Sequence, residues 1–224
     1  MSFCSHPLSS ITKKQIVAVS GLLLILYLIA HLLGNLLIFA GPKMLNGYAE
    51  FLVGLRPGLY LIELGLFLVF LTHIYFTYLV VLENIQARGT RYTVYQPVGE
   101  RSWATRLMPY TGTILLAFVV WHVFDFTLTD HDGARSIVNG QSLGLYGVVY
   151  NSFLVPWHSG FYIVAMMCLG LHLSHAIQSV FQTFGFNHPK YTPLIGKMSG
   201  VLGWLVALGF SSIPVWVLIT GYRG

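Results

Sequence analysis

A chain of 224 residues with 55% hydrophobic and only 8% charged side chains has too little charge to cover a soluble globule of its size, so lipid is its expected solvent. The formal charge of +5 does not point to a nucleic-acid partner, because the basic residues are scattered between long apolar runs and make no basic face.

Apolar stretches long enough to cross ~30 Å of hydrocarbon lie at 15–40, 58–84, 107–129, 153–182 and 197–220. The expected fold is an all-α polytopic membrane protein, one transmembrane domain over 1–224 built from five helices. The first run follows Lys13 and Lys14, where a cleaved signal peptide would also lie, but its length favours a retained span. Each run exceeds the roughly 20 residues required, so tilt or extension beyond the lipid is expected. Pro214 is expected to kink the last helix.

Five spans place the termini on opposite sides, and basic residues distinguish the two. The N-terminal segment and the second-to-third and fourth-to-fifth connections carry Lys13, Lys14, Arg88, Arg91, Arg101, Arg106, Lys190 and Lys197. The other side carries Lys43, Arg56, Arg135 and Arg223, an eight-to-four split that puts the N-terminus in the cytoplasm. The basic connection from Ile85 to Arg106 also holds Tyr92, Tyr95 and Trp103, which suit either a soluble partner or an interfacial aromatic belt. On the outer side, the Gly- and Asn-containing loop from Asp130 to Val155 reads as an ordered cap or a mobile lid.

Of nine histidines, His31, His73, His122, His172 and His175 fall inside the spans. A lone membrane histidine is often a satisfied interhelical hydrogen bond, but one on each of four consecutive helices and none on the fifth is harder to explain as packing. His31 lies sixteen residues from Gln15, ~24 Å along its axis, and His122 fifteen from Leu107, ~22 Å. On the two helices running inward, His73 lies eleven residues from Asn84, ~16 Å, and His172 ten from Gln182, ~15 Å. Two levels result. Two imidazoles at one height can ligate one haem from opposite faces, which pairs His31 with His122 at the outer level and His73 with His172 at the inner one. Cys4 and Cys168 form no CxxCH motif, so each haem would be of the b type, held by ligation and packing alone.

A short repeat accompanies the outer pair: Ser20-Gly21 precedes His31 as Thr111-Gly112 precedes His122, each glycine ten residues before its histidine. That offset is ~15 Å along the axis, which sets both glycines near the inner level. Gly21 and Gly112 would there give clearance for a macrocycle or permit close helix packing. His175 follows His172 by three residues and shares its side of the helix. A zinc site is the weaker reading of that spacing, since no acidic partner is near in sequence, and a bond to a haem propionate or a water is the stronger. His6, His131, His158 and His188 fall in tails, loops or helix ends, with His158 opening the fourth helix on the outer side.

At these residues the chain resembles the diheme cytochrome b membrane-anchor subunit of succinate dehydrogenases and fumarate reductases of the single-chain, five-helix type. The resemblance covers nearly the whole chain. It rests on histidines in the first four helices, the segment from Thr111-Gly112 to Trp121-His122, and Leu171-His172-Leu173-Ser174 running into Phe181-Gln182. It implies that His31 and His122 ligate the distal haem and His73 and His172 the proximal one. It also implies a flavoprotein subunit, where the dicarboxylate reacts, and an iron-sulfur subunit docked on the cytoplasmic face of a bacterial inner membrane, with room for a dimer of complexes. This chain would be the quinone-reactive subunit, passing electrons through two haems b to a quinone, taken as menaquinone.

Quinone chemistry moves protons with electrons, so an acid or base is needed at the end of the path. Glu50 and Glu63 are the outer-side candidates, with Asp125, three residues past His122, a third. Glu50 loosely matches the position after the first helix where the family carries an acidic quinone-site residue. Glu63 equally suits a structural bond to Arg56. The chain departs from some diheme fumarate reductases, which carry a glutamate two residues before the fourth-helix ligand, proposed to return protons across the membrane. Gly170 stands there instead. An outer quinone site would then make electron transfer electrogenic, at ~2.3 kcal/mol per charge per 100 mV. The competing readings are a cytochrome b anchor of another dehydrogenase, such as a hydrogenase or formate dehydrogenase, and a haem-free transporter with a histidine proton relay.

Overall fold

The first helix begins five residues before the apolar run, because the Ser9 hydroxyl accepts a hydrogen bond from the Thr12 amide at 3.1 Å and so caps an otherwise unpaired donor. In the computed structural model, which describes residues 8–86 and 103–221, α1 runs Ser10–Asn35, and a 3₁₀ turn over Leu36–Ala40 carries it to the far end of the bundle. Lys13 therefore sits in the helix rather than in a tail. It is 3% exposed and paired with Glu83, which ties the near end of α1 to the next span.

At the far end Gly41, with φ +94°, turns the chain into α2 (Pro42–Gly54), whose proline occupies the first turn, where a missing N–H costs nothing. The second span, α3 (Gly58–Gln86), has no buried residue and packs chiefly on α1. Its exposed Leu61, Ile62 and Leu68 would be unfavourable in water and are at home against lipid. The third span comprises α4 (Trp103–His122) and a π-helical turn over Val123–Thr127. The segment at 87–102, with Tyr92 and Tyr95, and the Trp103 side chain lie outside the described residues, as do His6, Cys4 and Arg223.

The loop expected from Asp130 to Val155 is an ordered cap. It contains a two-stranded antiparallel hairpin, β1 (Ile137–Val138) and β2 (Gln141–Ser142), followed by α5 (Gly144–Leu154). The Asn46 side chain pins α2 to this cap, donating to the Leu143 carbonyl at 2.8 Å and accepting from the Tyr146 amide at 3.0 Å. Asn151 donates to the carbonyls of Arg135 and Ile137, both at 2.8 Å, and holds the hairpin against α5.

Val155 is extended ahead of Pro156, which delays the fourth span, α6 (Pro156–Thr183), by three residues relative to the apolar run. The fifth, α7 (Thr192–Gly221), runs unbroken through Pro214. The tightest packing joins α6 to α7. A Cβ on Gly203 would stand 2.8 Å from the Ser174 amide nitrogen and 3.0 Å from the Gly170 carbonyl oxygen, so the two backbones touch where both side chains are missing. Around this seam Met166, Leu169, Leu173, Ile213 and Val217 form the core. Five helices among the described residues are long and apolar enough to cross a membrane: Ser10–Ala40, Gly58–Gln86, Leu107–Thr127, Pro156–Thr183 and Thr192–Gly221. The chain is thus an all-α polytopic membrane protein, with small helical and hairpin elements covering its far end.

Candidate functional site

Two levels of histidine lie inside the bundle. Toward the near end, Ser20 on α1 places its Oγ 3.1 Å from His73 Nδ1 on α3, and Thr111 on α4 places its Oγ1 3.2 Å from His172 Nδ1 on α6. Each hydroxyl donates its one hydrogen to a backbone carbonyl a turn back, Ser20 to Ile16 at 2.7 Å and Thr111 to Leu107 at 3.1 Å. Each can then only accept from the imidazole, which assigns the ring proton to Nδ1 and leaves the Nε2 lone pair available.

The neighbouring glycines complete both seats. A Cβ on Gly21 would stand 3.1 Å from His73 Cε1, and one on Gly112 would stand 3.5 Å from His172 Cε1. The imidazole of an adjacent helix is what lies against each glycine. His73 and His175 both lie near enough to His172 that a charge on either would be felt there. Beside Ser20, Val19, Leu23, Leu68 and Val69 line an apolar groove of about 420 Å³ between α1 and α3.

Eleven residues further along α1 and α4, about 16 Å by helix rise, His31 and His122 face each other with ring centres 5.8 Å apart and planes crossed at 87°. Tyr27 stacks on His31 at 5.4 Å, Phe118 stacks on His122 at 5.7 Å, and Phe210 closes over His31 at 5.8 Å. Two imidazoles that bind one iron from opposite faces hold their ring centres ~6 Å apart, since each metal–nitrogen bond is ~2 Å and each ring adds about 1 Å. The spacing of His31 and His122 fits that requirement, and crossed planes satisfy it as well as parallel ones. Among the described residues there is no group of three or more His, Cys, Asp or Glu side chains that could hold a bare metal ion. A porphyrin supplies four of the iron's six donors itself, so two histidines are the number a haem needs from the protein.

A polar cluster surrounds the far end of this pair. Asp125, one turn past His122, accepts from His158 Nε2 at 2.7 Å, from the Tyr162 hydroxyl at 2.8 Å and from Arg135 at 2.8 Å. Arg135 also donates to Ser152 and to the Asp125 carbonyl, and Tyr162 Oη lies 3.5 Å from His122 Nδ1. Arg135 enters the charge count of the sequence as a loop cation and gives no sign there of its partner, whereas Asp125 and His158 stand out in the sequence as residues near the outer histidine level.

The other two acidic candidates separate. Glu50 lines a polar cavity of about 550 Å³ at the far end, together with Lys43, Asn46, Asp132 and Ser142. Glu63 is exposed on α3 and interacts electrostatically with Tyr27. Arg56, the donor considered for Glu63, instead donates to the Tyr60 hydroxyl at 3.1 Å and lies over its ring.

No family model and no solved structure matches the chain. A curated relative does: the succinate dehydrogenase cytochrome b558 subunit of Bacillus subtilis (strain 168), 28% identical over 188 residues, which span 84% of this chain and 85% of the relative. The match covers most of both chains, so this five-helix membrane protein is similar along most of its length to a succinate dehydrogenase cytochrome b subunit.

Proposed function

We propose that this chain is the cytochrome b anchor of a succinate:quinone oxidoreductase, a single transmembrane domain that holds two haems b and passes electrons through them to a quinone, taken as menaquinone. The 5.8 Å crossed pairing of His31 and His122 is the observation that carries this reading, and the hydroxyl contacts of His73 and His172 support a second pair nearer the other end. His31 and His122 ligate the far haem, and His73 and His172 the near one. Bound there, the haems supply one-electron chemistry by cycling between ferric and ferrous iron. The apolar walls around the histidines exclude water, and the aromatic stacks hold the outer imidazoles in place.

The near end faces the cytoplasm, as the excess of basic residues on that side favours, and receives the iron-sulfur and flavoprotein subunits. Dicarboxylate chemistry then stays on the flavoprotein. At the far end the cavity lined by Glu50 and Lys43 suits a quinone headgroup, with Glu50 moving the proton. Glu63, exposed on the lipid-facing α3, fits that role less well.

Purification of the tagged chain from its native membrane tests the reading. It is expected to bring down a flavoprotein and an iron-sulfur subunit, and succinate should reduce b-type haem in the preparation. Co-purification of a nickel or molybdenum subunit would overturn it in favour of another respiratory dehydrogenase, and a colourless preparation would favour a transporter.

A further inference from the structure

The Ser-Gly and Thr-Gly doublets do for the near histidine level what no residue among those described does for the far one. We propose that Ser20 and Thr111 are positioning residues for the near haem, fixing the tautomer and orientation of His73 and His172 so that both present Nε2 to the iron. The inference rests on the reading of those histidines as axial ligands.

A neutral imidazole can carry its proton on either nitrogen, and a ligand must present the bare one to the metal. The group that takes the other N–H settles the choice and raises the basicity of the ligating nitrogen. Both hydroxyls are committed as donors to carbonyls of their own helices, Ser20 to Ile16 and Thr111 to Leu107, so toward Nδ1 they act as acceptors. The adjacent glycines let each ring edge close on the helix that supplies the hydroxyl, where an added Cβ would stand 3.1 Å from the His73 ring at Gly21 and 3.5 Å from the His172 ring at Gly112. Hydroxyl and glycine thus act as one seat, and the seat is built twice.

The division of labour follows from helix geometry. α1 and α4 each carry a seat for a histidine of another helix at the near level and a histidine of their own at the far level, eleven residues on. The far level has a different arrangement. His122 Nδ1 meets Tyr162 Oη only at 3.5 Å, and that hydroxyl already donates to Asp125. The two haems are therefore tuned by different neighbours, and a change to either hydroxyl should register at one haem alone. The two seats match in geometry, at 3.1 Å for Ser20 and 3.2 Å for Thr111, so each hydroxyl should act on the near haem in the same direction.

An N–H bond to an acceptor makes an imidazole more electron-rich and favours ferric iron, so its removal raises the midpoint potential. The test is redox titration, with low-temperature EPR, of the intact complex carrying Thr111→Val, Thr111→Ser or Ser20→Ala. Thr111→Val is expected to keep both haems and shift the ferric–ferrous equilibrium of one of them by roughly tenfold, the lower end of second-shell effects, which is about 59 mV upward. The other haem should be unmoved, Thr111→Ser should restore the native potential, and Ser20→Ala should move the same haem in the same direction. Loss of one haem in Thr111→Val with retention in Thr111→Ser would also support the proposal. Unchanged potentials in Thr111→Val, or the same defect in Val and Ser variants, would overturn it. Failure of the underlying ligand assignment reads differently: His172→Ala would then keep both haems.

Discussion

The Asp125 carboxylate accepts a 2.7 Å hydrogen bond from His158 across the gap between the end of the third span and the start of the fourth, and the Tyr162 hydroxyl and Arg135 bind the same group. One carboxylate thus joins the third span, the far-end cap and α6 around His122. Asp125→Asn replaces one acceptor oxygen with a donor and leaves at least one of the three partners unmatched. The expected cost is about 1–3 kcal/mol, held to the lower part of that range because Arg135 is partly exposed and can rehydrate. Thermal release of haem, followed by absorbance, should occur at lower temperature in the variant, with the far haem lost first.

Gly203→Ala should destabilise the bundle by about 1–3 kcal/mol, because its Cβ would press on α6 backbone that cannot move aside as a side chain can. Gly170 is constrained from the other side of the same seam, where a Cβ would stand 3.0 Å from Ala207 Cβ and from the Trp204 ring. A glutamate installed at Gly170 therefore has no room inside the bundle. Gly170→Glu should lower the yield of assembled complex, as measured by haem recovered per membrane protein, rather than create a proton path.

If electrons enter at the cytoplasmic face and the quinone takes up protons at the far end, as proposed, turnover moves charge across the membrane at ~2.3 kcal/mol per charge per 100 mV, and Gly170 offers no side chain to carry protons back. Electrons leaving the negative cytoplasmic side are helped by the membrane potential. Addition of an uncoupler to energised membranes should therefore slow succinate-dependent menaquinone reduction, read as the rate of quinol formation. An unchanged rate would contradict the far-end placement of the quinone.

Glu50→Gln should lower succinate:quinone turnover by on the order of 10²-fold while succinate still reduces the haems, since proton transfer is lost and electron entry is not. Glu63→Gln, on the exposed face of α3, should stay close to the native rate. Stopped-flow haem reduction beside steady-state turnover separates the two steps.

The two histidine levels are legible in the sequence because helical rise is nearly constant: His31 and His122 share a height whatever the side chains around them do. The five spans are legible for the same reason, since length and apolarity are properties of the chain itself. Elements that depend on partners are less so. α2, at 13 residues, and α5, at 11, are too short to cross a membrane, and they cohere through contacts such as that of Asn46 with Leu143 and Tyr146, about a hundred positions apart. The Ser20-Gly21 and Thr111-Gly112 repeat is visible in the sequence, but its glycines attract notice before its hydroxyls. Only the arrangement of helices shows that both serve histidines on other spans.

Haem b per polypeptide in the intact complex, measured for the native chain and for His31→Ala and His73→Ala separately, tests the central claim most directly. Two haems are expected in the native complex and about one in each variant, with the far haem missing in the first and the near haem in the second. An assembled, folded complex without haem, or single variants that keep both haems, would contradict the paired-level account.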